Sequence, residues 1–312
     1  MDSTYSEYSR KGPNPSDTSR IKRITQSIIG LPTLPTVISK MLEMIDNPRT
    51  SATTLARLIS TDQSLTAKIL KLANSAYYGF SREISTVNMA IVVLGFNTVK
   101  EMGLWLSVFD VFKRASNSSG DFDAASFWEH SVACGVAARM IARTNQSRFA
   151  AEAFVAGLLH DIGKIILNQY FNAEFNQVLN RAEQCSFEEA EKEVIGTTHG
   201  RIGAWLTEKW NLPSIISQTI LHHHTPWNAG ADKHFVAMVT LGDLICHLTS
   251  IGNSGRFSAP PYDERLWNIF MKAGIGVDEP DLERLQTDFL AEYDRSEVFL
   301  SLIHDSAERR NV

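Results

Sequence analysis

The chain has 312 residues, 44% apolar and 21% charged, a composition that excludes a disordered or collagen-like protein and allows a sizeable core. Its net charge of −5 gives no general attraction to nucleic acid or to an anionic membrane, so neither is expected as a partner. Cys134, Cys185 and Cys246 lie far apart with no CxxC pair, which excludes a thiolate zinc site and a disulfide framework.

Residues 1–22 are polar and rich in Ser and Pro and predict a flexible leader. From residue 23 to 112 the pattern is helical. Leu34, Val37, Ile38, Met41, Leu42 and Ile45 recur at helical spacing after LPTLP, and NPR closes that helix. A short helix follows around Leu55, Leu58 and Ile59. The next carries Leu65, Ile69 and Leu72, with Thr61 or Asp62 as N-cap. The stretch 97–112 is apolar almost all round and predicts a helix buried on several sides. Residues 113–123, KRASNSSGDFD, predict a loop. A second helical run spans 124–250, and further amphipathic helices at 265–312 are expected to pack on it. From Asp278 to Val312 there are ten acidic and four basic residues, a pattern of a solvated helical face. No useful period-2 alternation occurs, so the fold class is all-α. With no run near 18 apolar residues and no signal-peptide pattern at the start, a cytoplasmic setting is expected.

In the second run, His or Asp repeatedly occupies apolar helical stripes. His130 shares a stripe with Phe127, Cys134 and Ile141. His160 and Asp161 sit inside AFVAGLLHDIGKIIL. His199 heads Ile202, Leu206 and Trp210. His223 and His224 follow Ile216 and Ile220, and Asp243 follows Val236 and Val239, with His247 a turn later. A buried carboxylate without a partner costs several kcal/mol. Two of them amid inward-facing imidazoles point either to a shared divalent cation or to a closed hydrogen-bond network. A ligand set of imidazole and carboxylate suits Fe, Mn, Zn, Ni or Co, as one or two ions that Asp161 could bridge. Lone His234 and His304 are expected to be ordinary core histidines.

LLHDIGK resembles the signature of the HD superfamily of metal-dependent phosphohydrolases. LPTLPTV, ISTDQSLTAKILKLANSAYYG and ISTVNMAIVVLG closely resemble the HDOD domain, an HD-related signalling module. The resemblance covers residues 28–247. It implies an N-terminal helical lobe packed on an HD-like bundle, and a role in bacterial signalling or regulation. Residue by residue it implies His130, His160, Asp161, His199, His223, His224 and Asp243 as metal ligands, with Lys164 at the lysine of HDIGK. HH is followed by TPWNAGADKHF, with neither an acidic residue nor GYP, so cyclic di-GMP cleavage is not expected.

The leading expectation is a regulatory HDOD protein with a divalent transition-metal site. It would engage a signalling protein or a small nucleotide through its N-terminal lobe or the groove between lobes. The alternatives are an active phosphohydrolase and a metal-free scaffold. In the enzyme, Asp161 would accept a proton and Lys164 would stabilise charge on a phosphate oxygen. Otherwise Lys164 is a surface lysine.

Overall fold

The computed structural model describes residues 24–26, 28, 33–45, 50–112, 122–253, 255, 263–275 and 279–308, so the expected leader and most of the 113–123 loop lie outside the described residues. Within them sixteen α-helices have defined bounds, residues 24–26 are also helical, and there is no strand. No helix among the described residues is long and apolar enough to cross a membrane.

Five helices build the N-terminal lobe: α1 (Thr36–Ile45), α2 (Ala52–Ile59), α3 (Gln63–Ala73), α4 (Val87–Leu94) and α5 (Phe96–Phe112). Local chemistry sets their starts. The side chains of Ser51, Asp62 and Thr86 accept from the backbone N–H groups of Thr54, Leu65 and Met89, a cap worth about 1 kcal/mol each. Asp62, not Thr61, caps α3. Helix α5 is the hub, with α1, α3 and α4 packed around it. Its buried residues include Val99, Trp105, Val108 and Phe112, and each large apolar side chain so buried stabilises by roughly 1.5–3 kcal/mol.

The bundle begins with α6 (Ala124–Thr144), started by Asp123, whose carboxylate accepts from Ala125 and Ser126 N–H. Next come α7 (Ala150–Leu159), α8 (Ile162–Tyr170), α9 (Asn172–Arg181), α10 (Phe187–Val194), α11 (His199–Lys209), α12 (Ser214–His222) and α13 (Lys233–Leu248). Helices α6, α7 and α13 pack on one another, while α11 lies between α8 and α12. Helices α14 (Glu264–Lys272), α15 (Glu279–Arg295) and α16 (Glu297–Glu308) close the outside: α14 covers α13, and α15 and α16 rest on α6. Tyr293 of α15 donates its hydroxyl to Glu129 of α6 at 2.9 Å.

Aromatic rings fill the seam between lobe and bundle. Phe109 meets Trp128 at 5.3 Å, and Phe299 meets Tyr77, Trp105 and Phe154 at 5.1, 5.1 and 5.7 Å. Set into this seam, the Arg139 guanidinium lies 5.4 and 5.6 Å from the rings of Tyr77 and Tyr78 and 3.8 Å from Glu101. Tyr77 and Tyr78 of SAYYG therefore join the lobe to α6.

Candidate metal centre

The seven side chains singled out as ligands fall into two adjoining groups. Asp161, His199, His223 and His224 form one, and His130, His160 and Asp243 the other; within each, the ligand atoms lie within 4.8 Å of one another. Asp161 connects them, with Oδ1 3.1 Å from His199 Nε2 and Oδ2 3.3 Å from His160 Nε2. Asp243 Oδ1 lies 3.1 Å from His130 Nε2 and 3.8 Å from His160 Nε2. His130 and Asp243 project from the interiors of α6 and α13. The other five stand at helix ends.

The apolar stretch around LLHDIGK is divided between two helices in the structure. Helix α7 stops at Leu159 and α8 starts at Ile162, leaving His160 and Asp161 at the junction. The His160 ring donates to Gly157 O, and Asp161 O accepts the first turn of α8 from Lys164 N–H. Gly163 then lets α8 press on the start of α11: a Cβ there would stand 1.9 Å from His199 O. A side chain at 163 would drive the two ligand-bearing helix ends apart.

Hydrogen bonds fix the tautomers. His160 Nδ1 lies 2.6 Å from Gly157 O, His199 Nδ1 2.8 Å from Glu191 Oε2, and His223 Nδ1 2.8 Å from Ile220 O. Carbonyl and carboxylate oxygens accept only, so each Nδ1 carries hydrogen and each Nε2 turns inward. There the Nε2 atoms meet acceptors. His199 Nε2 faces His223 Nε2 at 3.3 Å, His224 Nε2 at 3.2 Å and Asp161 Oδ1 at 3.1 Å. A single proton can satisfy one such contact. A cation among the four donors satisfies all of them. His130 Nε2, His160 Nε2 and Asp161 Oδ1 are buried without a well-aligned hydrogen bond despite these short approaches. This is the arrangement of donors around a common ion, so the residues present fit a divalent transition metal.

The electrostatics agree. Burial opposes ionisation of Asp161, yet Lys164 and His160 hold its carboxyl well below the usual range. Asp243 is likewise held low against burial, by His247 and His130. Burial lowers His130, and lowers His223 to about 4. At His199 burial is outweighed by Glu191, which raises the imidazole to about 9.

Lys164 is no surface lysine. It is 2% exposed, its ammonium 2.7 Å from Asp161 Oδ2 and 4.6 Å from the centre of the Phe187 ring. Glu191 was not anticipated: it is fully buried, and its other oxygen accepts from the His199 backbone N–H at 3.0 Å. His247 lies beside the centre, while His222 is half-buried and outside both groups. The Cys134 thiol is buried 3.9 Å from Val239 O and also stays out of both. His234 is half-buried, and the side chain of His304 lies outside the described residues.

The HDOD domain model matches residues 31–226, well over half of the chain. The chain belongs to the HDOD domain family. This HDOD protein is 27% identical over 229 residues to an uncharacterized protein of Treponema pallidum, across 71% of the present chain; it spans only 43% of that relative's length. Among solved structures it resembles an HDOD domain protein of unknown function from Geobacter sulfurreducens, with TM-score 0.75 and 27% identity over 93% of this chain and 98% of that one. A Shewanella amazonensis protein named as a candidate phosphohydrolase shares the fold at TM-score 0.70 and 23% identity, over 91% of this HDOD chain and 98% of its own.

Proposed function

We propose that this HDOD protein is a bacterial regulatory module whose bundle holds two divalent transition-metal ions and whose lobes engage a signalling partner. One ion would be held by His199, His223, His224 and Asp161, the other by His130, His160 and Asp243, with Asp161 shared. The facing Nε2 atoms around His199 carry the reading: one proton on His199 Nε2 satisfies only one of its contacts to His223, His224 and Asp161, whereas a metal cation would be held by all four donors. A cleft of about 470 Å³ between the lobes, lined by Glu43 and Lys100 on one side and Lys209 and Trp210 on the other, is the partner site this reading favours.

Regulation is preferred to catalysis because of burial. His130, His160 and His199 are fully buried, and Asp243 is only 4% exposed. A phosphodiester needs a far wider opening than an ion does. The second reading, a metal-dependent phosphohydrolase, is favoured by the Lys164 ammonium beside Asp161 and is the activity named for the Shewanella protein. Bound ions would polarise a phosphoryl oxygen and lower the pKa of water. In that reading Asp161 would accept the proton and Lys164 would hold charge on the phosphate.

Elemental analysis of the untagged chain, followed by assay of the loaded protein with bis(p-nitrophenyl) phosphate and cyclic dinucleotides, tests this. Two ions per chain that are lost in Asp161→Asn, with no turnover, are expected. Turnover abolished by Asp161→Asn would establish the hydrolase instead, and a chain without metal above background would overturn both.

A further inference from the structure

The aromatic seam between lobe and bundle encloses a carboxylate that it supports poorly. Glu101 of α5 is 2% exposed, and its Oε2 has no hydrogen bond. Arg139 of α6 stops 3.8 Å away, and its Nη1 is likewise without a partner. A carboxylate kept ionised in the interior accepts several hydrogen bonds or a bidentate guanidinium, and this oxygen has neither. The other groups around it do not make up the difference. Lys100 of α5 and Arg143 of α6 favour the ionised form, but Arg143 is engaged with Glu292 of α15. Glu152 of α7, whose Oε2 is also buried without a partner, opposes it. Tyr77 and Tyr78, on the chain after α3, are neutral phenols raised by burial. Helix α3 brings Lys68, already paired with Asp110, and the exposed Lys71. Lys40 and Glu43 of α1 and Glu297 of α16 are exposed, and α4 has no charged side chain. Burial therefore outweighs Arg139 and raises the Glu101 carboxyl to about 7.

We infer that Glu101 is a proton-controlled latch between lobe and bundle: the neutral acid lets the seam close, and loss of its proton favours an open seam. In the closed seam the group titrates at about 7. Once the seam parts and water reaches the carboxyl, it returns to its ordinary value of 4.5. The closed form thus binds the proton more tightly and gains on the open form as pH falls through 7. Those two values imply about a tenfold rise in the open fraction from pH 6 to pH 8. The movement also reaches the cleft favoured as the partner site, because Lys100, the residue before Glu101, lines it opposite Lys209 of the bundle. The latch needs no metal ion and goes beyond the metal reading.

The test is hydroxyl-radical footprinting of the full-length chain at pH 6 and pH 8, read by mass spectrometry. Trp105 and Phe109 of α5 are buried in the closed seam against Phe299 and Trp128. Their oxidation should rise about tenfold from pH 6 to pH 8 relative to Phe175, a buried ring of α9. In Glu101→Gln, which keeps the shape of the neutral acid, oxidation should stay at the native pH 6 level throughout. An equal rise in that variant would assign the response to other groups, the cluster histidines included, and overturn the latch. Equal oxidation of the native chain at the two pH values would overturn it as well. The double variant Glu101→Leu with Arg139→Met, in which neither position titrates, should also be flat. It decides the same question if circular dichroism finds Glu101→Gln unfolded.

Discussion

Glu191 grips His199 from two directions: Oε2 takes the ring Nδ1–H at 2.8 Å and Oε1 takes the backbone N–H at 3.0 Å. One carboxylate thus sets the tautomer, the ring orientation and the first residue of α11 together. Outer partners of this kind change metal affinity by 10–100-fold. Glu191→Gln keeps the size but loses the charge and one acceptor, and should weaken the ion at His199 by that factor with helicity intact. Chelator competition measures it.

The same pair gives the metal-free chain a pH signature. An imidazole unfolded near 6.5 but folded near 9 adds stability that is fully present below about pH 6.5 and is lost as pH rises through about 9. His223, held at about 4, acts in the opposite sense, and the fold loses stability as pH falls from about 6.5 towards 4. Melting temperature of the stripped protein should therefore fall by several degrees between pH 6.5 and 9.5. Saturating metal should flatten the alkaline fall, because an ion takes the place of the His199 proton. Melting curves with and without metal across that range check both statements.

Asp161 is the carboxylate that brings an oxygen within 3.5 Å of imidazoles in both groups, so occupancy should depend on it more than on any other side chain. Asp161→Asn should reduce bound metal to near zero. His130→Ala and His223→Ala should each lose about one ion per chain and keep the other. Mass-spectrometric metal counting on purified variants measures this.

Gly163→Ala tests the backbone rather than the ligands. Its Cβ would meet His199 O at 1.9 Å, and backbone cannot swing aside as a side-chain tip can. A loss of about 3 kcal/mol or more in denaturant unfolding is expected, at the upper end of overpacking costs, together with reduced metal content.

In the seam, the Arg139 guanidinium and Glu101 are both nearly buried, and burial raises the Glu101 carboxyl to about 7. Removing Glu101 leaves the buried guanidinium without its carboxylate, so Glu101→Leu should cost about 3–5 kcal/mol, and adding Arg139→Met should recover most of it, as chemical denaturation of the cycle would show.

Much of this was visible in the linear sequence for a physical reason. His130, Asp161 and Asp243 interrupt apolar stripes, and such interruptions are costly enough to need an explanation. Glu191 gave no such signal. It sits in FEEAEKEV among other acids, and only the packing of α10 against the rest of the bundle distinguishes it from its exposed neighbour Glu193. Lys164 was equally ambiguous, because a lysine one turn from a motif has the same spacing whether its ammonium faces water or Asp161. The break between α7 and α8 was hidden because AFVAGLLHDIGKIIL stays apolar and lacks proline across it. The hydrogen bond from His160 to Gly157 O and the contact at Gly163 are tertiary facts.

The deep enclosure of the histidine–aspartate cluster has a kinetic consequence. An ion among His130, His160 and Asp243, none more than 4% exposed, would depart only as neighbouring helices separate, so its exchange would keep pace with transient opening of the protein and not with the lability of its bonds. Cells growing under different metal supplies would then carry populations of this molecule that preserve, long after synthesis, a record of what was abundant when each copy folded.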